Sequence, residues 1–215
     1  MQQESSISPS HEPTNQPTHS PRREGVKSVF STLAILIAAP AIAVLLTMFV
    51  FQSYQVDGPS METTLQNNDR LIVWKLPRTV ARITGHAYVP HRGDIVIFVE
   101  QGLRDFSSGG SKQLIKRVVG LPGDRVVINN GSITIFNKDN PSGFNPDKNH
   151  DFSSGIASFT SGDVDFVVPT NQVYVCGDNR PNSLDSRSFS SVPVSAIVGK
   201  LSLRIFPIAK FRSFI

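Results

Sequence analysis

Few side chains in this sequence could carry covalent chemistry. Beyond the polar N-terminal stretch there are three histidines, His86, His91 and His150. His86 and His91 flank a turn-like Tyr88-Val89-Pro90 region, and His150 falls in a polar stretch. None ends an apolar strand or sits beside a serine in a nucleophile elbow, so a Ser-His-Asp triad has no obvious members. A serine can instead give its proton to a neutral lysine. Such a lysine must be desolvated, because burial disfavours the ammonium form. Lys116 lies in Leu114-Ile115-Lys116-Arg117-Val118-Val119, where Leu114 and Val118 share its face of an alternating strand. Ile115 and Val119 make the other face apolar too, so the pattern does not separate Lys116 from Arg117. Chemistry does, since a guanidinium with a pKa above about 12 cannot act as a base. Bringing a lysine from about 10.4 to about 8 takes surroundings that disfavour its charge by roughly 3 kcal/mol. On pattern alone, a lysine snorkelling to solvent from a strand edge fits equally well. Ser60 lies in Asp57-Gly58-Pro59-Ser60-Met61, which is turn chemistry and on its own reads as a plain loop serine.

The elements that must position these groups come after an apolar segment. Residues 1–28 are rich in Ser, Pro, Gln, Thr and His and are expected to be a disordered tail. Val29 to Phe51 is apolar apart from Ser31, Thr32 and Thr47, long enough for a transmembrane helix, with Pro40 inside it. A cleavable secretory signal would be shorter and end in a small-x-small site, which Phe51-Gln52-Ser53-Tyr54-Gln55-Val56 lacks. A retained anchor is therefore expected. Arg22, Arg23 and Lys27 precede the span, and Asp57 and Glu62 are the first charges after it. The positive-inside rule then places the tail in the cytoplasm and residues 52–215 outside the cell (plasma) membrane.

Residues 52–215 read as mainly β. Asp69 to Leu76, Gly93 to Glu100, Gln113 to Gly120 and Gln172 to Cys176 are short Val/Ile-rich runs bounded by Gly, Pro or Asp. Arg125 to Ile128 and Ser132 to Phe136 flank Asn129-Asn130-Gly131, a hairpin signal. No segment beyond the anchor shows a sustained helical apolar period. Residues 102–112 and 137–162 read as polar surface insertions. The 215 residues suit one anchor and one compact domain, and 39% hydrophobic content is ordinary for a globular chain. A net charge of +4 is too weak to argue for nucleic acid. There is no zinc-type cluster and no phosphate loop, so no metal or cofactor is expected. The single cysteine, Cys176, excludes an internal disulfide.

Four blocks of the chain resemble, in order, those of the bacterial type I signal peptidases, a Ser-Lys peptidase family. Gly58 to Leu65 resembles the block carrying a Ser-Met nucleophile, and Gly93 to Phe98 a structural strand block. Lys116 to Asp124 resembles the block that begins with the base, and Gly177 to Arg187 the last block. The resemblance implies a signal-peptidase/repressor-protease-like β domain behind one N-terminal span. It implies Ser60 as nucleophile, Lys116 as general base, Ser183 hydrogen-bonded to the lysine amine, and a supporting Asp185–Arg187 ion pair. Asp178 and Arg180 would brace the same loop. Some members carry a serine two positions before the nucleophile, whose hydroxyl helps to bind the oxyanion. Here that residue is Gly58, so the oxyanion hole is expected to rest on backbone N–H groups of Ser60 and Gly58, Pro59 having none.

The implied reaction is removal of signal peptides from secreted preproteins after small-x-small motifs, through an acyl-enzyme. The implied partners are these preproteins and membrane lipid, and the protein is expected to act as a monomer. Two rivals share the features: another Ser-Lys precursor-processing peptidase of the conjugation type, and a non-catalytic tethered binding domain.

Overall fold

The computed structural model describes residues 21–104, 111–148 and 155–214, so residues 1–20 of the expected tail and His150 lie outside the described residues. Contacts divide the chain into Met1–Ala43 and Val44–Ile215. Helix α1, Pro21–Phe49, starts earlier than the apolar pattern implies, so residues 21–28 are helical rather than part of a tail. Proline suits a first helical turn, where its missing N–H would have no partner. Within α1, Val29–Phe49 has a mean hydropathy of 2.5 and no buried side chain. Its 21 residues would extend about 30 Å, the thickness of a bilayer's hydrocarbon core. The helix ends at Phe49 rather than at Phe51, because Phe51 opens strand β1, Phe51–Gln55, and pairs with Trp74.

The remaining elements are β2 (Arg70–Trp74), α2 (Leu76–Thr84), β3 (Ile95–Arg104), β4 (Ser111–Gly120), β5 (Arg125–Asn129) and β6 (Ser132–Phe136). They continue with β7 (Val164–Val167), β8 (Gln172–Cys176), α3 (Ser186–Phe189), β9 (Val192–Pro193), β10 (Ile197–Phe206) and β11 (Arg212–Ser213). One sheet runs in the order β1-β2-β10-β3-β4-β8-β9 with β11 on β10, and a smaller one runs β6-β5-β7. The domain is thus mainly β. Of the first insertion, residues 102–104 belong to β3 and 111–112 to β4, and residues 105–110 lie outside the described residues. Asn130 and Gly131, at φ 50° and 75°, make the tight β5–β6 turn that Asn-Gly demands.

Two elements depart from expectation. α2 is a helix where no helical period is apparent, and it buries none of its residues, so it leaves no apolar stripe of the usual kind. β10 lies between β2 and β3, and its register against β2 shifts between Leu201 and Leu203. Such a bulge exchanges the faces to which the later strand residues point. Leu201 is buried, but so are Ser202 and Arg204. Arg204 is accommodated by donating to Thr64 O at 3.0 Å and to Asp69 Oδ2 at 3.2 Å.

Candidate active site

Ser60 comes after β1 on a turn whose neighbours are fixed by burial. Met61 and Leu65 are fully buried and pack with Val56, Leu71, Ile95 and Leu201. Val56, buried before the turn, and Met61, buried just after it, pin the chain on both sides, so the Ser60 hydroxyl between them is aimed rather than loose. Two asparagines complete the setting. Asn67 Oδ1 accepts from Gly58 N–H at 3.1 Å. From the last block, Asn179 donates its backbone N–H to Ser60 O at 3.1 Å and its side-chain amide to Pro59 O at 3.1 Å.

Lys116 comes from the middle of β4, paired with Val96 of β3. Strand alternation sends Lys116 and Arg117 to opposite faces, and both are 3% exposed. Lys116 Nζ donates to Ser60 Oγ at 2.8 Å and to Ile115 O at 2.9 Å. Burial lowers its pKa from 10.5 to about 8, against a smaller opposing pull from Asp185. No carboxylate pairs with it, and the two nearby ones are already taken. Asp185 is held by Arg187, with Nε–Oδ1 and Nη2–Oδ2 both at 2.8 Å. Asp178 is gripped by Arg117, with Nε–Oδ1 at 2.8 Å and Nη2–Oδ2 at 2.6 Å. Each pairing directs most of the carboxylate's field at its arginine, and desolvation therefore dominates at the amine.

Of the residues singled out in the sequence, Ser60, Lys116, Asp185 and Arg187 are brought together here. Asp185 also accepts from Gly177 N–H at 2.9 Å and from Arg187 N–H at 3.2 Å, which starts α3. Two expectations need revision. Gly58 N–H is engaged by Asn67, which leaves Ser60 N–H as the backbone donor without an acceptor among the described residues. Ser183 Oγ is buried without a hydrogen-bond partner rather than bonded to the amine, whose donors go to Ser60 and Ile115. Asp178 and Arg180 tie the same loop to other segments: Asp178 holds Arg117, and Arg180 holds Asp147 at 2.5 and 2.6 Å. Asp147 and Thr160, which also accepts from Arg180 at 2.7 Å, belong to the insertion that looked featureless. Nothing in their local pattern marks them, because their partner is 33 positions from Asp147 in sequence.

Gly177 is required by space. A Cβ there would sit 2.2 Å from Ser183 Oγ and 2.4 Å from Ser60 O. Beside the pair opens a cleft of about 780 Å³, lined by Tyr54, Gln55 and Val56 on one side and by Leu114, Ile115 and Lys116 on another. Cys176 is fully buried, and burial pushes its thiol pKa up, so it takes the role of a core residue. Among the described residues no group of three His, Cys, Asp or Glu could hold a metal ion.

A buried lysine amine against a serine hydroxyl beside an open cleft has the parts that acyl transfer requires. The family model described as "Signal peptidase, peptidase S26" matches residues 29–206. The chain belongs to this signal peptidase family. It is 34% identical to a signal peptidase I of Bacillus caldolyticus over 178 residues, 80% of this chain and 89% of that one. It is 30% identical to signal peptidase I U of Bacillus subtilis over 192 residues, 89% and 94% of the two chains. A crystal structure of a signal peptidase I from Enterococcus faecalis V583 is 26% identical and covers 54% of this chain and 98% of its own, with a TM-score of 0.37. Membership in this family makes the chain a peptidase, and its N-terminal apolar helix fits a membrane protein.

Proposed function

We propose that this chain is a membrane-anchored serine endopeptidase that removes N-terminal signal peptides from secreted preproteins, cutting after small-x-small motifs. The observation that carries the reading is the 2.8 Å contact between Ser60 Oγ and an almost fully buried Lys116 amine. With Lys116 neutral, the hydroxyl donates its proton to the Nζ lone pair as Oγ attacks the scissile carbonyl carbon. The developing oxyanion lies against Ser60 N–H. Collapse passes the proton from Nζ to the departing amine and leaves an ester on Ser60. A water deprotonated by the same amine then hydrolyses the ester. The paired Asp185 and Arg187 are positioning residues in this reading.

The substrate segment would lie extended in the cleft between β1 and β4, adding backbone hydrogen bonds along the free edge of β1. Val29–Phe49 would anchor the enzyme with its N-terminus in the cytoplasm and the β domain outside. The test uses detergent-solubilised full-length protein and a radiolabelled preprotein, beside Ser60→Ala. Cleavage at one small-x-small site, reduced at least about a thousandfold in the variant, is the expected result. Equal processing by both forms would remove Ser60 from the chemistry, and cleavage of neither by wild type would favour a binding domain.

A further inference from the structure

Helix α2 is amphipathic with its faces reversed. Arg78, Ala81 and Arg82 share one face and line a cavity of about 530 Å³, together with His86 and the 170–172 and 193–195 segments. Val80 and Ile83 lie on the opposite face, 48% and 78% exposed. A helix on a water-facing domain normally turns its apolar side inward. Here Arg78 is half-buried toward the cavity, with Arg82 at its exposed rim, while Val80 and Ile83 face away from the protein.

The start of α2 is tied to the end of the apolar helix. Lys75 N–H donates to Val50 O at 2.7 Å, Lys75 Nζ to Met48 O at 2.9 Å, and Thr79 Oγ1 to Phe49 O at 3.0 Å. Met48 and Phe49 end the span Val29–Phe49 and Val50 follows it, so α2 begins where the hydrocarbon ends. Nine residues of helix measure about 13 Å, and lying along the bilayer surface a helix about 10 Å across straddles the boundary between headgroups and acyl chains.

The cavity is cationic and uncompensated. Arg78 donates to Ser195 O at 3.1 Å, and neither Arg78 nor Arg82 has a carboxylate partner among the described residues. Burial lowers the Arg78 pKa, and the neighbouring Arg82 guanidinium lowers it further. Two forked donors one turn apart suit the oxygens of a phosphodiester.

We propose that α2 is an interfacial helix whose Arg78/Arg82 cavity binds the headgroup phosphate of an anionic phospholipid, while Val80 and Ile83 enter the acyl layer. This rests on the reading of Val29–Phe49 as a membrane span. Charge complementarity and the tether to the span's end both select a lipid over a soluble ligand.

The test offers full-length protein in detergent equal amounts of phosphatidylglycerol and phosphatidylcholine, and counts retained lipid by native mass spectrometry. Wild type should prefer phosphatidylglycerol by roughly thirtyfold, and Arg78→Gln/Arg82→Gln should abolish the preference. Unchanged cleavage of a soluble peptide shows that the double variant is folded. Arg82→Gln alone, at an exposed side chain, serves if it is not, and should lose roughly fivefold. Equal retention of the two lipids by wild type, or an undiminished preference in the variants, overturns the proposal. So does displacement of the lipid by equimolar glycerol phosphate, which would assign the cavity to soluble phosphate esters. In bilayers, a Trp74→Phe/Ile83→Trp form should be quenched by acyl-brominated lipid and not by iodide. The reverse pattern overturns the interfacial placement. Retention of the protein in vesicles after an alkaline wash separates the two readings. Loss from vesicles sinks the span and α2 together, whereas retention without lipid preference sinks the headgroup site alone.

Discussion

Lys116 combines a chemical task with a structural cost. In the unfolded chain its pKa is 10.5, and in the fold it falls to about 8. Between those values the unfolded state binds the extra proton, so stability rises with pH across that window, and below it the full cost of burying the charge is felt. Lys116→Met should be inactive yet more stable than wild type at neutral pH by up to about 3 kcal/mol, with the gain fading as pH approaches 10.5. Urea unfolding at neutral and alkaline pH checks this. For the wild type, kcat/KM should climb tenfold per pH unit below about 8 and level off above it. Arg187→Gln should move that limb to higher pH, because Asp185, released from its arginine, would favour the ammonium form. A pH profile that keeps its position while activity falls would instead give Arg187 a purely structural part.

At the scale of elements, the chemistry depends on how closely the segment after β8 approaches the turn after β1. Gly177 is the point of closest approach, with no room for a Cβ between Ser183 Oγ and Ser60 O. Ser60 O is backbone and cannot swing away. Gly177→Ala should therefore displace the nucleophile turn, lower kcat by at least about a hundredfold and cost about 1–3 kcal/mol in stability. Steady-state kinetics beside thermal unfolding checks it, and full activity would show that the turn has slack. Asn179 acts from the same segment through its two contacts on Pro59 and Ser60.

Across the whole catalytic domain, buried arginines tie distant segments to the site. Arg180, 1% exposed, joins Asp147 and Thr160 of the second insertion to Gly177 O, on which it donates at 3.0 Å. Asp147→Ala would strand a buried guanidinium and should cost about 3–5 kcal/mol, a large part of a small domain's stability. A urea midpoint unchanged by the substitution would show that water replaces the carboxylate. Arg204 makes a similar tie between β10 and the chain after Ser60, through Thr64 and Asp69.

What the sequence determined by itself was local. An apolar run of bilayer length, strands with a two-residue period and an Asn-Gly turn all arise from nearest neighbours, and all are present in the fold. Ser60 and Lys116 were legible as chemical types, but their contact joins positions 56 apart and exists only because β1 and β4 flank one cleft. Tertiary structure alone decided the rest. It engaged Gly58 N–H with Asn67, sent Asp178 to Arg117 and Arg180 to Asp147, and turned Arg204 inward at a bulge. Partner choice among buried charges depends on which groups share a desolvated space, and one-dimensional spacing does not encode that. The hidden helix α2 makes the same point, because its apolar face points away from the core that periodicity arguments assume.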